Sequence, residues 1–520
     1  MPRAAIRAAA LLLPVALVAL VSCTVGPSRE VPVGLRGDGP GAQAPPPTGS
    51  AARPVPELEE STADLIDWSD CTELTKQRLG NDGGGGAQFR CGRLSVPLDP
   101  PERPGRGFMR LSLLKVGNGR VPLLVVNDTD GEPGTLHAAR LASRMPEEML
   151  RRFTLVGVDR RGTGGSNAPE CVPDEQRHII TSFDPLTRDP ERLQDLLDAL
   201  RRGTQQCLLD LETNLSAFDA WRAAGDLDRV REALGVSRVN ALASGTGSRV
   251  LTTYAHRFPS GVGRFVLDGV PDPTTDAVGR AEARAAAAER ALDEFARDCV
   301  ARGCPLGGDP KRAVHSLLDR LRGAPSSAGD VPVTAGTAIR ALLAGLADRP
   351  RWPGLAESLA KAGNGDGSGI AAAVQPLVMG DGERAPTLDG IWMNSCNDTP
   401  TRVSFDRISA LAGEWQQKYP TFGGYLVQTL MACSVWPQAK PLPPLRSVDA
   451  PPMVVVGTAV DPVTPLPGAT HAAGELAGSV LVSWQGSGHG AFPTSPCVTT
   501  AVQRFLLDGT VPVNGMNCPP

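Results

Sequence analysis

Apolar residues follow two rhythms along this chain. Short apolar runs closed by turn residues alternate with stretches in which apolar positions recur at helical spacing. Phe108 to Val116, Pro122 to Asn127 and Phe153 to Asp159 are runs of the first kind. The second contains Leu123-Leu124-Val125-Val126, the pattern of a strand buried on both faces of a parallel sheet. From Asp226, Leu227, Val230 and Leu234 share one helical face and lead through Gly235 into a strand over Arg238 to Ala243. A helix from about Ser248 to His256 and a strand over Arg264 to Asp268 follow. Pro452 to Val456 and Val480 to Trp484 read as two further strands. Strands alternating with helices predict an α/β protein with a doubly wound, mostly parallel sheet.

Between Thr274 and Pro386 the rhythm changes. Ala281 to Cys299 is alanine-rich and charged, and Val314, Leu317, Leu318 and Leu321 keep helical spacing. This segment reads as a helical cap inserted over the sheet's carboxyl edge. At the start of the chain, Arg3 and Arg7 precede an apolar run from Ala8 to Val21, too short for an ordinary span and suited to a signal peptide. It ends in Leu20-Val21-Ser22-Cys23, which resembles the lipobox of bacterial lipoproteins and makes Cys23 the expected lipid anchor. Thr24 to about Glu60 is rich in Pro, Gly and Ala and reads as an extended tether, with order beginning near Leu65, Ile66 and Trp68. Gly83 to Gly86 reads as a surface loop. The expected organisation is a signal peptide over 1–22, a tether over 23–60, sheet core over 61–273, cap over 274–386, and returning core over 387–520.

With 520 residues, 41% hydrophobic and 21% charged, the chain is long enough for a large packed body. Its net charge of −4 gives no electrostatic reason to expect nucleic acid. Of 11 cysteines, setting Cys23 aside leaves an even number, which in an exported chain points to disulfides. Sequence alone permits many pairings. Spacing favours neighbours: Cys71 with Cys91, Cys171 with Cys207, Cys299 with Cys304, Cys396 with Cys433, and Cys497 with Cys518. Without a zinc-type Cys pair, and with six scattered histidines, no metal or cofactor is expected.

Two residues stand where an α/β sheet places chemistry, just past a strand's carboxyl end. Asp461 lies in Gly457-Thr458-Ala459-Val460-Asp461-Pro462, and His489 in Gly486-Ser487-Gly488-His489-Gly490. An acid followed by a histidine suits a serine hydrolase whose nucleophile comes earlier. Other segments are Val96-Pro97-Leu98-Asp99, Asp159-Arg160-Arg161-Gly162-Thr163-Gly164-Gly165-Ser166, Asp226-Leu227-Asp228, Val266-Leu267-Asp268-Gly269, Cys304-Pro305-Leu306-Gly307 and Trp436-Pro437. Through these and their order, the chain from about residue 65 resembles the secreted tripeptidyl aminopeptidases of actinobacteria, within the prolyl-aminopeptidase-like α/β hydrolases. The resemblance implies an α/β-hydrolase fold and release of short peptides from free N-termini.

The chain departs from the family at its nucleophile. The family's elbow reads Gly-x-Ser-Tyr-Gly-Thr. Here the segment is Ala243-Ser244-Gly245-Thr246-Gly247-Ser248, and aligning its flanks puts Gly245 on the serine. Glycine takes the strained elbow conformation easily. Ser244 is the alternative nucleophile, but a shift of one residue along a strand turns its side chain away from His489. Ser248 should lie on the following helix. The family's glycine-rich oxyanion loop is replaced by Asn127-Asp128-Thr129-Asp130-Gly131-Glu132-Pro133-Gly134, which is expected to put three acidic side chains where an oxyanion would form. These changes favour a lipid-anchored pseudo-hydrolase that binds peptide or cell-envelope ligands. An active exopeptidase using Ser244, Asp461 and His489, or a structural envelope protein, are the alternatives.

Overall fold

A computed structural model describes residues 54–80, 86–380, 384–438, 442 and 450–520. The signal peptide, Cys23, the tether up to residue 53 and Gly83 to Gly85 lie outside the described residues.

The strands are β1 (Ser69–Asp70), β2 (Phe89–Pro97), β3 (Phe108–Val116), β4 (Val121–Val126), β5 (Phe153–Val158), β6 (Val239–Ser244), β7 (Val262–Asp268), β8 (Ser326–Ala328), β9 (Val331–Val333), β10 (Val454–Val460), β11 (Val480–Ser487) and β12 (Met516–Cys518). Among the described residues β8 and β9 form a separate hairpin, and the other ten make one sheet in the order β1-β2-β3-β5-β4-β6-β7-β10-β11-β12. Pairing is antiparallel from β1 through β3 to β5 and parallel from β5 onward.

The sheet's alternation sorts its side chains onto two helical layers. In β4, Leu124 and Val126 join one core with Leu227, Val230 and Val250 from helices Ala220–Ala233 and Thr246–Arg257. Leu123 and Val125 join the other with Ala138, Leu141, Val502 and Phe505 from helices Gly134–Ala142 and Pro496–Asp508. All six β4 residues are buried, which explains why the run has no polar position.

Two boundaries differ from the sequence reading. Residues 54–60, assigned to the tether, already pack on the body. Glu59 accepts the Ser237 N–H at 2.7 Å, and the Pro56 carbonyl accepts from Arg264 Nε at 3.0 Å. The helical cap does not end at 386. Helices Phe405–Lys418 and Gly423–Ser434 bring Ile408, Leu411, Trp415 and Leu426 into the same core as Ala285, Leu292 and Leu342, and strand structure returns only at Val454. The helix Pro190–Leu211, not read from the sequence, packs through Leu196 and Leu200 with Leu388, Trp392 and Trp436.

All five neighbour pairs of cysteines form disulfides: Cys71–Cys91, Cys171–Cys207, Cys299–Cys304, Cys396–Cys433 and Cys497–Cys518. The pair Cys299–Cys304 closes a loop of sequence separation 5, the shortest of them. Replacing both residues with serine is expected to lower unfolding free energy by about 2 kcal/mol. Urea denaturation with and without the bond measures this, and an unchanged midpoint would contradict it.

Candidate active site

The chain visits β5 on one side of β4, then β6 on the other, so β4 is the topological switch point. β4 and β6 run side by side, with Val126 opposite Ala243. The loop after β4 and the turn after β6 therefore meet, although 118 residues separate Asp128 from Thr246. On the far side, β10 and β11 pair Val460 with Ser487, which sets Asp461 and His489 beside each other.

Gly245 occupies the sharp turn between β6 and helix Thr246–Arg257, with φ 53° and ψ −124°. Gly247 is constrained by space: a Cβ there would lie 2.6 Å from the Val126 carbonyl oxygen, so only glycine lets the helix start so close to β4. A Cβ on Gly245 would lie 1.8 Å from Asp128 Oδ2 and 2.2 Å from its Cγ. The Asp128 carboxylate thus fills the volume that a nucleophile's side chain would need.

Its hydrogen bonds fix it there. Thr246 N–H, the backbone donor following the elbow, reaches Asp128 Oδ1 at 2.5 Å. His489 Nε2 lies 2.7 Å from Asp128 Oδ2. The other ring nitrogen, Nδ1, lies 2.9 Å and 3.1 Å from the two Asp461 oxygens. Asp461 is held in turn by the N–H groups of Val463 and Thr464 and by the Thr464 hydroxyl at 2.9 Å. The imidazole is therefore clasped between two buried carboxylates, with side-chain exposures of 5% for Asp128 and 0% for Asp461.

Burial works against charge at both Asp128 and His489, and the pairing overcomes it. Against that burial, the His489 hydrogen bond and charge, with the Thr246 N–H, hold the Asp128 carboxyl below its ordinary range. Burial also disfavours the imidazolium, but the Asp461 charge and hydrogen bonds to Asp128 and Asp461 raise His489 well above an ordinary imidazole. Asp268, at the end of β7, accepts the N–H groups of Ala491 and Phe492 and braces the loop carrying His489. Burial, partly offset by those donors, pushes its carboxyl up to about 6.

The remaining loop acids face elsewhere, which corrects the expectation that all three line the oxyanion position. Asp130 Oδ2 points to Arg284 Nη2 at 3.6 Å on the cap, and Glu132 bonds Arg140 Nε at 3.1 Å. Arg284 comes from the distant cap, whereas Arg140 lies eight residues beyond Glu132 on helix Gly134–Ala142. The loop is braced by Asn127 Nδ2 on the Glu132 carbonyl at 2.8 Å and Thr129 N–H on Thr246 Oγ1 at 3.2 Å. Ser244 is half-buried and borders the same cavity as His489. Ser248 is fully buried, its hydroxyl 3.4 Å from the Ala243 carbonyl.

The DRRGTGGS segment supports this corner. Asp159 accepts N–H groups from Thr135 and Gly165, both at 2.8 Å. Arg161 makes a two-pronged pair with Asp226 at 2.7 Å and 2.6 Å. A cavity of about 1120 Å³ opens between cap and sheet over Asp128 and His489. Among the described residues no group of three or more His, Cys, Asp or Glu side chains is arranged to hold a metal ion. The contact of Asp128 with His489 was not read from the sequence; an aspartate two residues past a fully apolar strand, beside the elbow strand, was the available signal.

Strand order, elbow and the Asp461–His489 contact define an α/β hydrolase, and the alpha/beta hydrolase fold family matches residues 131–338. The TAP-like protein family matches residues 419–518, and the chain has the α/β-hydrolase fold. It is 27% identical over 479 residues to the serine protease Hip1 of Mycobacterium tuberculosis, covering 87% of this chain and 91% of that protein. It is 29% identical over 473 residues to a carboxylesterase B of the same species, covering 83% and 86%. It is 24% identical over 477 residues to a tripeptidyl aminopeptidase of Streptomyces coelicolor, covering 88% and 86%. Five disulfides and these relatives suit a protein that works outside the cytoplasm.

Proposed function

We propose that this chain is an extracytoplasmic pseudo-hydrolase, held to the membrane through a lipid on Cys23, that uses the cavity of a peptidase to bind a peptide or cell-envelope ligand without cleaving it. The Asp128 carboxylate in the nucleophile's volume carries this reading. Acyl transfer in this fold needs a side-chain nucleophile, a neutral imidazole to take its proton, and free N–H donors for the oxyanion. Gly245 offers no side chain. His489, paired on both nitrogens with carboxylates, favours the imidazolium and so is not poised as a base. The Thr246 N–H is already bonded to an anion. The relatives' names, a serine protease, a carboxylesterase and a tripeptidyl aminopeptidase, support a peptide-sized or ester-sized ligand.

Active exopeptidase chemistry is the second reading, favoured by the position of Ser244 on the cavity wall. A fluorophosphonate probe and a tripeptidyl chromogenic substrate separate the two. The wild type is expected to show neither labelling nor turnover above background. Robust turnover abolished by Ser244→Ala would overturn the pseudo-hydrolase reading.

A further inference from the structure

The cavity's charge is opposite to that of the chain. The whole sequence carries −4, yet eleven arginines and five carboxylates are among the described lining residues. Of those carboxylates, Asp128 is bonded to His489, while Asp130 and Glu132 face Arg284 and Arg140.

Three of the arginines converge from separate elements beside the blocked elbow. Arg160 follows β5, Arg249 lies on helix Thr246–Arg257, and Arg280 lies near the start of helix Ala277–Ala301. Arg160 is 4% exposed; its Nη1 reaches Thr246 Oγ1 at 3.0 Å, and its buried Nε has no hydrogen-bond partner. Arg249 Nη2 donates to the Asp398 backbone carbonyl at 2.8 Å, and its Nε stands 4.0 Å from Asp398 Oδ2. Arg280 donates to the Thr275 carbonyl. The hydrogen-bond partners are thus a hydroxyl and two carbonyls; Asp398 is the carboxylate within 4.0 Å of Arg249, its Oδ1 also engaged by the Ala220 N–H at 2.8 Å, while Asp128 and Asp130 act on Arg160, and Asp272 and Asp276 on Arg280, at longer range. Burial, with the Arg249 charge, lowers the proton affinity of Arg160 and Arg280, although Asp398 and neighbouring carboxylates partly offset it. Among the described residues none of the three guanidiniums has a carboxylate in hydrogen-bond contact, so each keeps N–H donors that a ligand anion can take up.

We propose that Arg160, Arg249 and Arg280 form a binding site for an oxyanion, a carboxylate or phosphate group carried by the ligand of this cavity. The planar guanidinium grips either group through paired N–H donors, which a neutral amide cannot match. The inference deepens the reading of the cavity as a binding site and rests on it. It places the ligand's negative end beside Thr246, next to the position Asp128 occupies.

Isothermal titration of the purified chain tests it with three probes: N-acetyl-alanyl-alanine, its C-terminal amide, and inorganic phosphate. The free carboxylate or the phosphate is expected to bind, with the amide about tenfold weaker or more, the size of one lost charge-assisted pairing. Whichever of the two anions binds more tightly identifies the source. Arg249→Gln and Arg280→Gln are each expected to weaken the anion about tenfold, and Arg249→Lys less, with melting temperatures confirming folded protein. Equal binding of the carboxylate and its amide with no heat from phosphate would overturn the proposal, as would anion binding unchanged in folded Gln variants. Hydrolysis of the dipeptide during titration would instead refute the pseudo-hydrolase reading and leave the anion preference standing.

Discussion

Gly245→Ser alone is expected to leave the chain without esterase activity, while Gly245→Ser combined with Asp128→Gly gains it. A serine Cβ at position 245 would stand 1.8, 2.2 and 2.3 Å from Asp128 Oδ2, Cγ and Oδ1, far inside any real contact. The new hydroxyl therefore cannot reach His489 Nε2 while Asp128 holds that nitrogen at 2.7 Å. Removing the Asp128 side chain does three things. It clears the volume, it frees the Thr246 N–H for an oxyanion, and it takes away one of the two carboxylates that keep the imidazole protonated. One oxyanion donor alone is worth roughly 10²–10³ in rate, so the double variant should exceed the single by at least that factor. kcat/KM on p-nitrophenyl acetate, with fluorophosphonate labelling to count active sites, measures it. A single variant as active as the double would show that Asp128 does not block the site.

Asp128→Asn is expected to destabilise the fold most near neutral pH and least at both extremes. The Asp128 carboxyl is lowered in the folded state, so its contribution is present above the unfolded value of about 3.9 and fades as pH falls through the lowered one. The His489 imidazole is raised, so its contribution is complete below about 6.5 and is lost as pH rises through the raised value. The pair therefore stabilises across a window from mildly acid to beyond neutral. At pH 7 the variant should lose about 1.5–3 kcal/mol, the worth of a hydrogen bond between charged groups. A loss of about 3–5 kcal/mol, typical of a stranded buried charge, is not expected because Asp461 still faces the ring. Asp268, raised to about 6 mainly by burial and coupled to the His489 charge, makes the fold less stable as pH climbs toward that value, in both proteins. Urea unfolding of both from pH 3 to 10 measures the difference, and a flat difference would contradict the ion pair.

The sheet was legible because its strands are apolar on both faces: β4, β5, β7 and the first half of β10 announce themselves in the sequence without help from distant residues. Asp461 and His489 were legible because each follows such a strand at its carboxyl end. The cap was harder. Phe405–Lys418 and Gly423–Ser434 carry mixed faces whose burial depends on partners more than a hundred residues away, so their assignment to the cap needed the packed core. The destinations of Asp128, Asp130 and Glu132 could not be separated in one dimension. Three acids within five residues look alike until each meets its partner: His489, Arg284 and Arg140. Nor could the convergence of Arg160, Arg249 and Arg280 be read, since they come from three elements brought together only by the crossing of the sheet.

The protonation state of His489 tests the blocked site most directly. Nitrogen-15 NMR of the imidazole rings, with His489→Gln identifying the resonance among six histidines, reads both ring nitrogens at once. At pH 7.5 His489 is expected to be an imidazolium, protonated on Nδ1 and Nε2, and Asp128→Asn is expected to move its titration to lower pH. A neutral His489 ring at pH 7.5 that titrates like a free histidine, unchanged in Asp128→Asn, would contradict it.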